Sequence, residues 1–212
     1  MTPKGPSHVD PQIAERATSR RGWLGAAGAA GLLGAAAVLL SDGSATAAPP
    51  NSPTDADKEL LGAAQSLELA ARDLYQLAID AGIDDPDGGI GVMARNHRAY
   101  AESIAGMTGI SANAPNQEVF DALESDFDTT DLQQFAAAAQ QLENDAVATH
   151  TELLTRYESL QAKRLTASIL VVEARQATVL GDIVGDEIDA LLDASGTAAS
   201  TTAAADGAEG DA

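Results

Sequence analysis

From Thr130 to Gly181 the chain reads TDLQQFAAAAQQLENDAVATHTELLTRYESLQAKRLTASILVVEARQATVLG, with no glycine or proline before its last residue. Such a run propagates helix. One unbroken helix of roughly fifty residues would be about 75 Å long at ~1.5 Å per residue, more than a domain of this size can cover. The chain must therefore turn inside the run. Ser159 has the side chain of an N-cap, so the turn is placed at Tyr157 to Ser159, dividing the run into helices of about 131–157 and 160–184.

Working outward toward the N-terminus, Thr54 is an N-cap followed by acids that suit the positive end of a helix. That first helix runs to about Ala81, before Gly82 and the turn Asp84-Asp85-Pro86-Asp87-Gly88-Gly89. A second helix runs from about Ile90 to Met107 and stops at Gly109. The connection from Gly109 to Thr129 is long for a compact domain, and it is expected to cross the length of the molecule with a short helical turn near Glu118 to Leu123. No segment alternates as a strand would. The expected fold is all-α, a ferritin-like four-helix bundle with a long crossover between helices 2 and 3. A chain of 212 residues with 45% hydrophobic content supports one domain with its own core.

Both flanks differ from the bundle. Residues 48–53 form a proline-rich linker, the bundle spans 54–193, and from Ala194 to Ala212 no large apolar residue appears, so that stretch is expected to be disordered. At the other end, Arg20 and Arg21 precede an Ala/Gly/Leu run to Leu40 and a small-residue exit from Ser41 to Ala48, the order of a signal peptide. Ser19-Arg20-Arg21-Gly22-Trp23-Leu24 resembles the twin-arginine motif, with Trp23 where phenylalanine is commoner. Ala45-Thr46-Ala47 offers a cleavage site before Ala48. Residues 1–47 are thus expected to export the protein, folded, to an extracellular, cell-wall or periplasmic space. The alternative is an uncleaved anchor, for which the apolar run is short.

Charge narrows the partners. The chain carries −20 overall, and removing the leader leaves 29 acids against 8 bases. Binding a polyanion needs a basic patch, and only Lys163 and Arg164 are adjacent in the mature part. Nucleic acid and anionic membrane surfaces are therefore excluded as expected partners and cations are attracted, although solubility in a salty habitat accounts for the charge as a whole; a metal ion is the expected partner, and the helix faces leave a homo-oligomer open. With no cysteine there is no disulfide, thiolate ligand or cysteine nucleophile. No catalytic triad, phosphate loop or nucleotide fingerprint is present either.

The helical period puts charged residues where a core should be. Glu143 shares a stripe with Ala139, Ala146, His150 and Leu153. Glu173 lies with Ile169, Gln176 and Leu180, and Glu68 lies with Leu61, Ala64, Ala71 and Tyr75. His97 sits in the second-helix seam beside Tyr100. Three carboxylates and an imidazole thus face one interior from four helices. A buried carboxylate needs a cation, and oxygen and imidazole donors suit iron, manganese or zinc. A second source of cation is an arginine, with Arg72, Arg95 and Arg175 in range.

The segment Ser168-Ile169-Leu170-Val171-Val172-Glu173-Ala174-Arg175-Gln176-Ala177 resembles the last helix of the exported ferritin-like domain family common in actinobacteria. Glu68 with Tyr75, and Leu142-Glu143-Asn144, are similar to that family's first-helix and third-helix motifs, while His97 with Tyr100 stands at the second-helix ligand pair. The resemblance covers about 54–185. It implies iron or another divalent transition metal as cofactor, with Glu68, His97, Glu143 and Glu173 as ligands and a ferroxidase-like activity. Tyr75, Tyr100, His150 and Gln176 are then supporting residues or weak ligands. A di-iron site takes Glu-x-x-His from each of two helices; here those places read His97-x-x-Tyr100 and Glu173-x-x-Gln176. The ligand set suffices for one ion and is incomplete for two. The competing expectation is a metal-free bundle acting as a structural or binding protein at the cell surface.

Overall fold

The computed structural model describes residues 50–110, 114–193 and 195–199. Residues 1–47, expected to be an export signal, lie outside the described residues. Six helices form among them: α1 (Asp55–Ala81), α2 (Gly89–Thr108), α3 (Gln117–Phe127), α4 (Leu132–Arg156), α5 (Leu160–Val184) and the short α6 (Ile188–Leu191). The four long ones are the expected bundle.

Local chemistry explains the boundaries. Thr54 and Asp57 form a reciprocal capping box that opens α1, and Gly82, at φ 86°, closes it with its N–H on Ala78 and Ile79 carbonyls. The turn inside the glycine-free run falls at Tyr157 to Ser159, where the Ser159 hydroxyl accepts from Ala162 N. That turn is tied to the far end of the sequence. The Asp57 carboxylate, wholly buried, accepts from Glu158 N at 2.7 Å and Ser159 N at 2.9 Å. The linker joins in, because Pro50 and Asn51 carbonyls accept from Leu160 N and Gln161 N. Backbone donors at the start of α5 are thus satisfied by three separate stretches of chain.

α1 pairs with α2 and α4 with α5, while thinner contacts join α1 to α4 and α2 to α5. One apolar cluster gathers the ends holding Leu61, Ile104, Leu153 and Ala162, and another gathers those holding Leu74, Ile90, Phe135 and Leu180. α2 finishes at the first end and α4 starts at the second, so the connection between them runs the length of the bundle. It carries α3, longer than the turn expected at Glu118 to Leu123, because Asn116 caps it and Phe127 is buried in the core beside the partly buried Val119, Phe120 and Leu123. Asn116 N also donates to the Ser66 carbonyl at 2.8 Å and moors the crossover to α1.

Gly181 falls within α5. A Cβ there would meet Gln140 Nε2 at 2.5 Å and Leu191 Cδ2 at 2.6 Å, so its lack of a side chain lets α6 fold back onto the bundle. Part of the stretch expected to be disordered is described. Thr197 N donates to Asp145 Oδ1 at 2.6 Å and Ala199 N to Thr149 Oγ1 at 2.9 Å, laying it along α4. No helix among the described residues is long and apolar enough to cross a membrane.

Candidate metal centre

Between the two apolar clusters lies a polar layer, one helical turn or two deep, made of Glu68 (α1), His97 (α2), Glu143 and His150 (α4) and Glu173 and Gln176 (α5), all buried. Each occupies a core-facing position because it keeps the 3.6-residue period of its apolar neighbours. Their polar atoms find one another across helices rather than along them.

Glu68 is the hub. Its Oε2 lies 2.8 Å from His97 Nδ1 and its Oε1 2.9 Å from His150 Nε2. Burial alone would raise its pKa, but hydrogen bonds from His150 and His97 outweigh that and hold it low, in the ionised form. His97 reaches onward through Nε2 to Glu143 Oε1 at 3.1 Å. Burial would push the His97 pKa down; the charges and hydrogen bonds of Glu143 and Glu68 reverse this and hold it well above its ordinary value. With a carboxylate on each nitrogen, both must donate, which makes the ring an imidazolium.

Glu143 Oε1 is crowded with donors. The Tyr75 hydroxyl donates at 2.5 Å and the Gln176 amide at 3.1 Å. Tyr75 itself stacks on His97 at 5.4 Å and meets Phe127 and Phe135 edge-on, and burial followed by the Glu143 charge keeps its phenol protonated. Gln176 is oriented by Asn96, whose Nδ2 donates to Gln176 Oε1 at 3.1 Å. Tyr100 lies edge-on to His97 at 5.9 Å; burial and then the charges of Glu68, Glu173 and Glu143 raise its pKa, so it stays a neutral phenol and not a phenolate ligand.

Glu173 stands apart. It is wholly buried and neither oxygen accepts a hydrogen bond. His150 Nε2 donates to Glu68 Oε1 at 2.9 Å and lies 3.3 Å from Glu173 Oε1, so Glu173 has a long ion pair in place of a well-directed hydrogen bond. Burial raises the Glu173 pKa, and the nearby charge of His150 only partly offsets it. His150 Nδ1 is likewise without a partner. Burial opposes protonation of His150, yet Glu173 and Glu68 lift its pKa to about 10. Glu68, His150 and Glu173 each present a ligand atom, all within 4.8 Å of one another.

All eight residues singled out in the sequence therefore meet in or beside one layer. His150, expected among the supporting residues, shares Glu68 with His97 and stands in the compact ligand group. Side chains on α4 lean toward its N-terminus, which brings His150 back toward Glu143 and into the layer. None of the arginines considered as counter-cations bonds to the acids: Arg72 pairs with Asp73 at 2.6 Å, while Arg95 and Arg175 are exposed. Asn96 and Asp57 were not anticipated. Asn96 lies one position off the α2 seam, and Asp57 reads locally as an ordinary first-turn acid.

The donor set, two carboxylates and an imidazole whose ligand atoms converge in a dry interior, fits a divalent transition metal, which would take the place of the proton that His150 otherwise carries. No curated protein and no solved structure matches the chain. The ferritin-like domain family model matches residues 56–186, more than half of the chain and all four long helices. The chain belongs to the ferritin-like domain family.

Proposed function

We propose that this protein is an exported ferritin-like metal protein that binds iron inside its bundle, with Glu68, His150 and Glu173 as ligands and His97 and Glu143 completing the layer. The observation that carries the reading is Glu173, a wholly buried carboxylate whose two oxygens accept no hydrogen bond, grouped with ligand atoms of Glu68 and His150 within 4.8 Å. A charge left that way is expensive unless something cationic completes it. A bound iron ion supplies that charge and one-electron redox chemistry. For a ferroxidase-like activity, iron(II) is the substrate and dioxygen the acceptor. The chain's own contribution is to exclude water, to hold Glu68 ionised through two imidazoles, and to keep the Tyr75 phenol beside Glu143.

Purified mature protein reconstituted with iron(II) is expected to retain metal at a fixed ratio, and Glu173→Ala to lose it. Metal near zero in both proteins would overturn the reading. Oxygen uptake on iron(II) addition separates a ferroxidase from a binding protein. The metal-free alternative has both histidines in its favour: His97 brings a positive charge to Glu68 and Glu143, and His150, its pKa lifted to about 10, brings one to Glu68 and Glu173.

Export rests on Ser19-Arg20-Arg21-Gly22-Trp23-Leu24 and the Ala45-Thr46-Ala47 exit. Replacing Arg20 and Arg21 by lysine is expected to retain the precursor in the cytoplasm; unchanged secretion would refute the twin-arginine route. A protein loaded with metal before leaving the cell suits a pathway that carries folded cargo.

A further inference from the structure

Resting on the metal-binding reading above, we propose that the bundle holds one metal ion and not two, among Glu68, His150 and Glu173, with the Gln176 amide closing the second position. The two-metal pattern needs Glu-x-x-His on two helices. On α5 the histidine place is Gln176, and what matters is which end of its amide faces inward. Asn96 Nδ2 donates to Gln176 Oε1 at 3.1 Å, which spends the oxygen, the only atom of the amide able to bind a metal. The nitrogen then faces the layer, 3.1 Å from Glu143 Oε1 and 3.5 Å from His97 Nε2. An N–H points where a second ion would need a lone pair.

The remaining groups of that half are spent in the same way. Glu143 Oε1 takes the Tyr75 hydroxyl at 2.5 Å and lies 3.1 Å from His97 Nε2, so three donors converge on one oxygen. Both His97 nitrogens point at carboxylates, at 2.8 and 3.1 Å. Only Glu143 Oε2 is left without a partner there. The α2 motif offers no replacement, since Tyr100 stands where its histidine would be. In the other half both Glu173 oxygens lack a hydrogen bond, and although Glu68 accepts from His97 and His150, ligand atoms of Glu68, His150 and Glu173 lie within 4.8 Å of one another. One half of the layer is closed by protein donors and the other is open to a cation.

The test is metal stoichiometry, read by elemental mass spectrometry and calorimetric titration with iron(II) under anaerobic conditions, on proteins whose helical signal and melting confirm folding. One ion per chain is expected for the wild type, none for Glu173→Gln, one for Glu143→Gln and two for Gln176→His, which restores the Glu-x-x-His motif on α5. Two ions in the wild type would overturn this inference and leave the metal-binding reading standing. So would a single ion lost in Glu143→Gln but kept in Glu173→Gln, or a Gln176→His protein that still takes one. No ion in the wild type would overturn the metal-binding reading itself. If Glu173→Gln fails to fold, the wild type and Gln176→His decide.

Discussion

Glu143 and Glu173 are both wholly buried on core stripes of neighbouring helices, yet one is surrounded by donors and the other has none. Glu143 receives Tyr75, Gln176 and His97 on a single oxygen, whereas Glu173 relies on the charge of a histidine whose N–H is directed elsewhere. Burial of an acid is therefore not what marks a ligand here. One Glu143 oxygen collects three donors while its Oε2 has none, whereas at Glu173 both oxygens lack a hydrogen bond. Asp57 offers a third case, buried at the bundle end and completed by backbone donors from Thr54, Glu158 and Ser159.

The contrast can be broken most decisively at Glu173. Glu173→Gln is expected to weaken iron(II) binding by at least about 100-fold, as loss of a ligand exceeds the usual effect of losing a supporting contact. Calorimetry reads this, and binding that survives would make the two acids equivalent. Next comes Asp57→Ala, which strands backbone donors of the α4–α5 turn and is expected to destabilise the fold by about 3 kcal/mol in urea titrations, with metal capacity per folded chain unchanged. Its acid dependence carries a sign. Burial would raise the Asp57 pKa, but the Glu158, Thr54 and Ser159 donors lower it below 3.8. Its stabilising contribution is thus fully present above 3.8 and lost as pH falls through the lower folded value, so wild type and Asp57→Ala should converge in stability at strongly acid pH.

Smaller effects sharpen the comparison further. Tyr75→Phe removes one of the donors converging on Glu143 and is expected to lower stability by about 2 kcal/mol while leaving iron stoichiometry intact. The smallest effect has the opposite direction. In metal-free protein near neutral pH, Glu173→Gln removes an unbonded buried acid and should raise the melting point, by an amount equivalent to about 1 kcal/mol. An apoprotein destabilised by that change would mean that Glu173 is structurally completed after all.

Much of this architecture is written locally. Absence of glycine and proline from Thr130 to Leu180 specifies helix, and the length limit on a single helix forces the turn that Ser159 then caps. Thr54, Gly82 and Gly109 delimit the first two helices through caps that involve only neighbours. The 3.6-residue period also determines that Glu68, His97, Glu143, His150 and Glu173 face inward, because direction from a helix axis depends on position alone.

What the period does not encode is height across the bundle and which donor meets which acceptor. Only packing brings Tyr75 of α1 to Glu143 of α4, 68 residues away, and Asn96 of α2 to Gln176 of α5, 80 residues away. Those contacts decide that Gln176 turns its nitrogen inward and that Glu143 Oε1 is crowded with donors. The same packing directs the His150 N–H to Glu68 and leaves Glu173 without a bond. The sequence by itself determined the helices, their turns and the acids that face the interior. Tertiary structure alone separated the acid that draws three donors from the acid that draws no hydrogen bond, because hydrogen-bond satisfaction depends on partners from other helices.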